Sequence, residues 1–267
     1  MEFKKIKILL KSRFYEMVNN RQFKFIILAF LMIVLMSFVL KDEMFKTYPA
    51  SRSGAFTLIC ACIWLGIFNS IQVVCSSKHK ILDDFLNGMH AGEFIVSELV
   101  FQFFICFIQS CIVIAVFIIT FSYADKGIFT HTSIEYFIII FLTIYTSDVM
   151  GFMLSSLAKN SVTAMELMPF VLVVQMILPG TLFELKGKLS VLSNLTISKW
   201  SMDTFGSIAD FESLAKKEPI EVIFNATEHY EKTLHHFAEN TFVLLGFIIF
   251  FIFISYLGIR KVKKDGL

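Results

Sequence analysis

An all-α integral membrane protein is predicted by three observations: six long apolar stretches, the exclusion of all 24 Lys and Arg from them, and a chain of 267 residues that is 56% hydrophobic and 15% aromatic. Lipid offers no hydrogen-bond partner, so each crossing must satisfy its own backbone. The runs are continuous rather than alternating, which points to helices and away from a barrel. A water-soluble enzyme of this length would rarely carry such a composition. The net charge of +2 gives no argument for nucleic acid as a partner.

The expected spans are 25–40, 55–74, 94–121, 134–157, 161–183 and 242–259. A bilayer core needs about 20 apolar residues of helix. The first span is short, and the flanking Lys24 and Lys41 can snorkel to the interfaces. Seven basic residues precede it, and with Lys78, Lys80, Lys159 and four in the tail they put 14 of the 24 on one side. By the positive-inside rule both termini are expected in the cytoplasm. The amino terminus lacks the small-residue cleavage site of a secretory signal, so the first span is expected to remain as a helix.

Before that span, Ile6, Leu9, Leu10, Phe14, Met17 and Val18 recur at helical spacing, with Lys4, Lys7, Lys11 and Arg13 between them. Residues 1–24 therefore read as an amphipathic cytoplasmic helix. Between spans two and three, residues 76–93 place Ile81, Leu82, Phe85, Leu86 and Met89 along one face, opposite Lys78, Lys80, Asp83 and Asp84. Gly88 is a natural stop for this short helix, which is either an interfacial linker or an element that docks a soluble subunit. Residues 184–240 form a long exofacial loop between spans five and six, apolar in its first half and polar in its second. The first half is expected to dip back and pack on the helices.

The five cysteines all lie within or at the end of spans two and three, so no disulfide-stapled outer domain is expected. Gly187-Lys188 lacks the upstream glycine and following Ser/Thr of a phosphate-binding loop, and no His-Glu-x-x-His or Gly-x-Ser-x-Gly motif occurs. No catalytic residue, metal ligand or ATP site is expected in this chain. Three acids within the spans are the candidates for charge at bilayer depth: Glu98, Asp148 and Glu166. An ion-coupled carrier would need such groups at bilayer depth, and an intramembrane hydrolase would need them in a polar cluster. Asp148, with Gly151 and Ser155 nearly on one face, reads more simply as a close-packing stripe.

Two stretches resemble the membrane domain of type-two ABC export permeases, particularly the G-subfamily-like branch. The first is Trp64-Leu-Gly-Ile-Phe-Asn69-Ser, followed by Leu86-Asn-Gly-Met and Glu93-Phe-Ile-Val-Ser-Glu-Leu99. The second runs from Gly151 through Ser155-Ser156, Pro169 and Val174-Gln-Met-Ile-Leu-Pro-Gly180 to Lys199-Trp200 and Gly206-Ser-Ile-Ala-Asp210. Order and spacing carry the likeness, since no single motif is specific.

The resemblance implies a permease that pairs with itself or a close relative and recruits two separate ABC ATPase subunits, which would hold the ATP and Mg. Residues 1–24 would be the connecting helix and Asp83, Asp84, Phe85, Leu86, Asn87 and Gly88 the coupling helix. Leu65 and Asn69, with Val173 and Met176, would face a cargo cavity on a two-fold axis. Thr181 and Leu182 would form an upper constriction. Ser77 stands where that branch has a glutamate, and the outer-loop cysteines and attached ATPase of eukaryotic members have no counterpart here, so a bacterial split exporter in the cell membrane is expected. Its cargo would be a drug, lipid or peptide of amphipathic or hydrophobic character. A membrane immunity or sensory subunit that transports nothing would share these features.

Overall fold

The computed structural model describes residues 3–19, 24–40, 44–123, 127–181, 190–217 and 230–265. Its elements are α1 (Phe3–Asn19), α2 (Lys24–Leu40), α3 (Tyr48–Ser70), α4 (Val73–Ser76), α5 (Lys78–Leu86), α6 (Ala91–Thr120), α7 (Thr132–Leu157), α8 (Ser161–Ile177), α9 (Ser190–Ser193), α10 (Ile197–Ile208), α11 (Phe211–Ala215) and α12 (Leu234–Asp265). Among the described residues four stretches are long and apolar enough to cross a membrane: Tyr48–Ser76, Ala91–Thr120, Thr132–Leu157 and Leu234–Lys261. The first and fifth predicted spans appear as the shorter apolar helices Ile26–Leu40 and Ser161–Ile177. The last helix overruns its predicted span at both ends, because amphipathic turns can extend beyond the apolar run that hydropathy detects.

The bundle is organised on α3 and α7, which form its most extensive pairing. Small residues permit the approach. A Cβ on Gly151 would lie 2.7 Å from both the Ile67 carbonyl oxygen and Ser70 Oγ, and one on Gly66 would meet the Ser147 Cβ at 2.9 Å. The expected close-packing role of the Gly151 and Ser155 stripe is thus the one the structure shows. Where α3 ends and α4 begins, Ser155 Oγ accepts from the main-chain amides of Val74 and Cys75 at 3.0 and 3.2 Å, satisfying donors that a helix start leaves open.

The first half of the long loop folds back as predicted. Helix α10 packs on α3, α7, α8 and α12. Tyr136 on α7 lies between Phe205 and Phe117, with ring centroids 4.7 and 5.2 Å away, and Ser201 Oγ on α10 accepts from Thr143 Oγ1 at 2.8 Å. Ahead of α7, the buried Glu135 carboxylate accepts from the amides of Ile128, Phe129 and Thr130 at 2.7–2.9 Å, which turns the chain into the helix. Gly187-Lys188 and much of the loop's second half lie outside the described residues.

Candidate functional site: a tethered elbow and the cavity beside it

The short helix α5 sits at the end of the bundle where α3 and α7 terminate. Its apolar face carries Ile81 and Phe85, followed by Met89, into a small core of its own with Phe94 and Ile95 of α6, Phe152 of α7 and Ile259 of α12. Gly88 ends the helix with φ +86, a left-handed turn in which the Met89 amide reaches back to the Asp84 carbonyl at 3.0 Å. Immediately afterwards the Glu93 carboxylate accepts from the His90 amide at 3.0 Å and starts α6.

Three lysines fasten this elbow. Lys78 Nζ donates to the carbonyls of Ala158 and Lys159 at 2.8 and 2.9 Å, placing a cation at the carboxyl end of α7 where the helix dipole is negative. Lys5 Nζ on α1 donates to the Gly88 carbonyl at 3.2 Å. Lys80 Nζ pairs with Glu16 of α1. These contacts tie the elbow to α1 and to the end of α7.

The pairing continues inward. Arg13 joins Glu16 at 3.1 Å and Glu98 of α6 at 2.8 Å, so a chain of charges runs from α5 through α1 into the bundle. Glu98 is only 2% exposed. Burial opposes the charge on Arg13, but Glu98 and Glu16 outweigh it and hold its guanidinium above its ordinary value. Burial likewise works against Glu16, where Lys80 and Arg13 prevail and hold the carboxyl below the usual range. Phe14 packs edge-on against Phe101 at 5.2 Å, seating α1 along α6. Sequence alone placed no base within reach of Glu98; α1 supplies it.

A cavity of about 480 Å³ opens beside this charge chain, walled by α1, α3, α4 and α6. Asn69 lies at its inner side, where its side-chain amide exchanges two hydrogen bonds with that of Gln109 at 2.8 and 3.0 Å. Deeper still is Asp148, wholly buried. The Ser70 hydroxyl donates to its main-chain carbonyl, leaving both carboxylate oxygens without a hydrogen bond. Glu166 is exposed on α8.

The structure divides the residues predicted from sequence. In the elbow, Asp83, Leu86, Asn87 and Gly88 are exposed and Asp84 is half-buried, whereas Phe85 is packed into the bundle. Of the expected cavity residues, Leu65 and Asn69 are buried inside the subunit, while Val173 and Met176 are 51% and 41% exposed on α8. The four do not share one surface within the subunit. The reason is helical phase: one residue turns about 100°, and it is Trp64, one residue from Leu65, that is exposed on α3, with Phe68 half-buried. Thr181 is half-buried just past the Gly180 turn, and Leu182 lies outside the described residues. Arg13, Glu16, Lys80 and Gln102 were not singled out as site residues from sequence. A lone acid in an apolar helix, Glu98, was the available signal that some basic partner had to exist.

Apolar helices of spanning length, packed around a buried polar interior and carrying a tethered elbow at one end, define a multi-pass helical membrane protein. The chain belongs to the ABC-2 type transporter family, whose family model matches residues 4–205. It is therefore a permease subunit of an ABC transporter, the transmembrane part of such a system. A search of curated proteins found no match.

Proposed function

We propose that this chain is the membrane-spanning half of an exporter driven by two separate ATPase subunits that bind ATP and Mg, with the elbow as their docking point. The observation that carries this reading is the asymmetry of α5: it is anchored by Lys78, Lys80, Phe85 and the Lys5 contact to Gly88, while Asp83, Leu86 and Asn87 stand exposed at its tip. A leucine 68% exposed beside acidic and amide groups is a surface suited to a soluble partner. Closure of the ATPases would push this tip, and the charge chain would pass the displacement to α1 and α6. The basic ends then lie in the cytoplasm of a bacterial cell, with the bundle in its cell membrane. The chain itself is expected to perform no catalysis.

Exposed Val173 and Met176 on α8, with Trp64 on the neighbouring α3, offer an apolar face for a second permease, either a copy or a close relative. The space between two such faces suits an amphipathic or hydrophobic cargo such as a drug, lipid or peptide. Co-purification with the ATPase encoded alongside tests the proposal. Association is expected for the native chain and at least tenfold weaker for Leu86→Glu, with the permease still folded. An unaltered complex in the Leu86→Glu variant would sink the docking assignment.

A further inference from the structure

The 480 Å³ cavity next to the charge chain lies within one subunit, is lined by neither Val173 nor Met176, and has an amphipathic lining. Arg13, Glu16, Lys80 and Glu98 stand at one end, and Phe101 and Ile105 form an apolar wall. Ile26 of α2 and Met165 of α8, each half-buried, border it as well, so the cavity reaches helices that lie in the apolar layer. Its size falls within the range of small-molecule sites, roughly 300–1,000 Å³.

Two observations specify the occupant. Gln102 lines the cavity, is only 4% exposed, and its amide makes no hydrogen bond among the described residues. A buried amide is normally satisfied, so a polar group in the cavity is its natural partner. The second observation is charge. Two cations and two anions line the site, and each is already paired, Arg13 with Glu98 and Lys80 with Glu16. A ligand with net charge would leave one of these partners unbalanced, whereas a head bearing both a phosphate and an amine can satisfy both signs at once. Glu98 uses only Oε2 toward Arg13, and its other oxygen is left for a donor.

We propose that this cavity holds the headgroup of a zwitterionic phospholipid from the leaflet at the α1 end of the bundle. Its phosphate faces Arg13 and Lys80, its amine faces Glu98 and Glu16, the Gln102 amide bonds the polar junction, and an acyl chain leaves past Phe101 and Ile105 toward Ile26 and Met165. The bound lipid braces the same ion pairs that tie α5 to α6. The assignment concerns a single subunit and requires neither an ATPase nor a second permease, so it stands or falls separately from the exporter reading.

The test uses the full chain in maltoside micelles titrated with short-chain phosphatidylethanolamine or phosphatidylglycerol, with thermal midpoint and binding isotherm as readouts. Phosphatidylethanolamine is expected to raise the midpoint saturably and to bind at least tenfold more tightly than phosphatidylglycerol. Gln102→Leu should weaken that binding at least tenfold, and Ile105→Trp, which fills the cavity, should abolish the shift. Should Ile105→Trp fail to fold, Met165→Trp obstructs the cavity from its half-buried edge and is expected to show the same loss. Equal stabilisation by the two lipids, or an undiminished shift in Gln102→Leu and in the tryptophan variant that folds, overturns the proposal.

Discussion

Replacing Arg13 by methionine should be far more damaging than neutralising its partner Glu98, and the size of the difference follows from where the two ends of the pair sit. The Glu98 carboxylate is 2% exposed and meets Arg13 Nε at 2.8 Å, while the arginine is 20% exposed and also holds Glu16 at 3.1 Å. With an effective dielectric of about 20, charges at this separation attract by roughly 6 kcal/mol before desolvation is subtracted. Removing the arginine strands a buried carboxylate, a situation that costs roughly 3–5 kcal/mol. Glu98→Gln instead leaves Arg13 near the cavity mouth with Glu16 still beside it, at a cost of about 1 kcal/mol. Once Glu98 is neutral, the arginine has little left to compensate, so the double variant should resemble Glu98→Gln. A coupling of roughly 3–5 kcal/mol in favour of the pair, nearly the whole cost of the arginine variant, is expected. For a chain of this size 1 kcal/mol moves the melting midpoint by roughly 2–4 °C, so Arg13→Met should fall by roughly 6–20 °C and regain most of that loss on adding Glu98→Gln. Thermal midpoints of the four purified proteins in one detergent, read by size-exclusion recovery after heating, measure this directly. Equal losses from the two single variants that simply add in the double would refute the reasoning.

Phe85→Ala should lower stability by roughly 3–5 kcal/mol because the ring is buried in the core beneath the elbow, and denaturant titration of the purified chain would show it; a loss no greater than that of Leu86→Ala would contradict the placement of the ring. Gly151→Leu should cost at least about 1–3 kcal/mol by forcing α3 from α7, seen as a lower midpoint and weaker recovery from detergent. Stability should also fall with rising pH through Asp203 on α10. Burial raises this carboxyl from 3.8 to about 7 despite the opposing pull of Lys199 and Arg52, so the folded chain keeps a proton that the unfolded chain has released. The contribution is favourable at low pH, is lost between 3.8 and about 7, and stays lost above, so midpoints should drop from pH 5 to pH 8 in the native protein and change much less in Asp203→Asn.

The likeness read from Trp64 to Leu99 and from Gly151 to Asp210 led to the right family, and the amphipathic elbow at residues 78–86 was legible as a helix with Gly88 as its stop. Within that elbow, sequence pattern grouped Phe85 with Leu86 on one apolar face. The fold separates them, since only one flank of so short a helix can rest on the bundle. The same ambiguity affected α3, where an apolar helix gives no contrast by which to tell Leu65 from Trp64.

What the sequence determined by itself was each choice that depends on neighbours in the chain: that apolar runs become helices, that their charged ends stay outside, and that glycines and a proline punctuate them. These are local consequences of backbone hydrogen bonding in lipid and of side-chain hydropathy. Only the tertiary structure decided that Arg13 meets Glu98 across 85 positions, that Lys80 meets Glu16 across 64, and that a cavity lined by Gln102 lies beside them. Such pairings depend on the relative rotation and depth of separate helices. That arrangement is set by close packing at Gly66 and Gly151, where contacts distant in sequence fix which face of each helix turns inward.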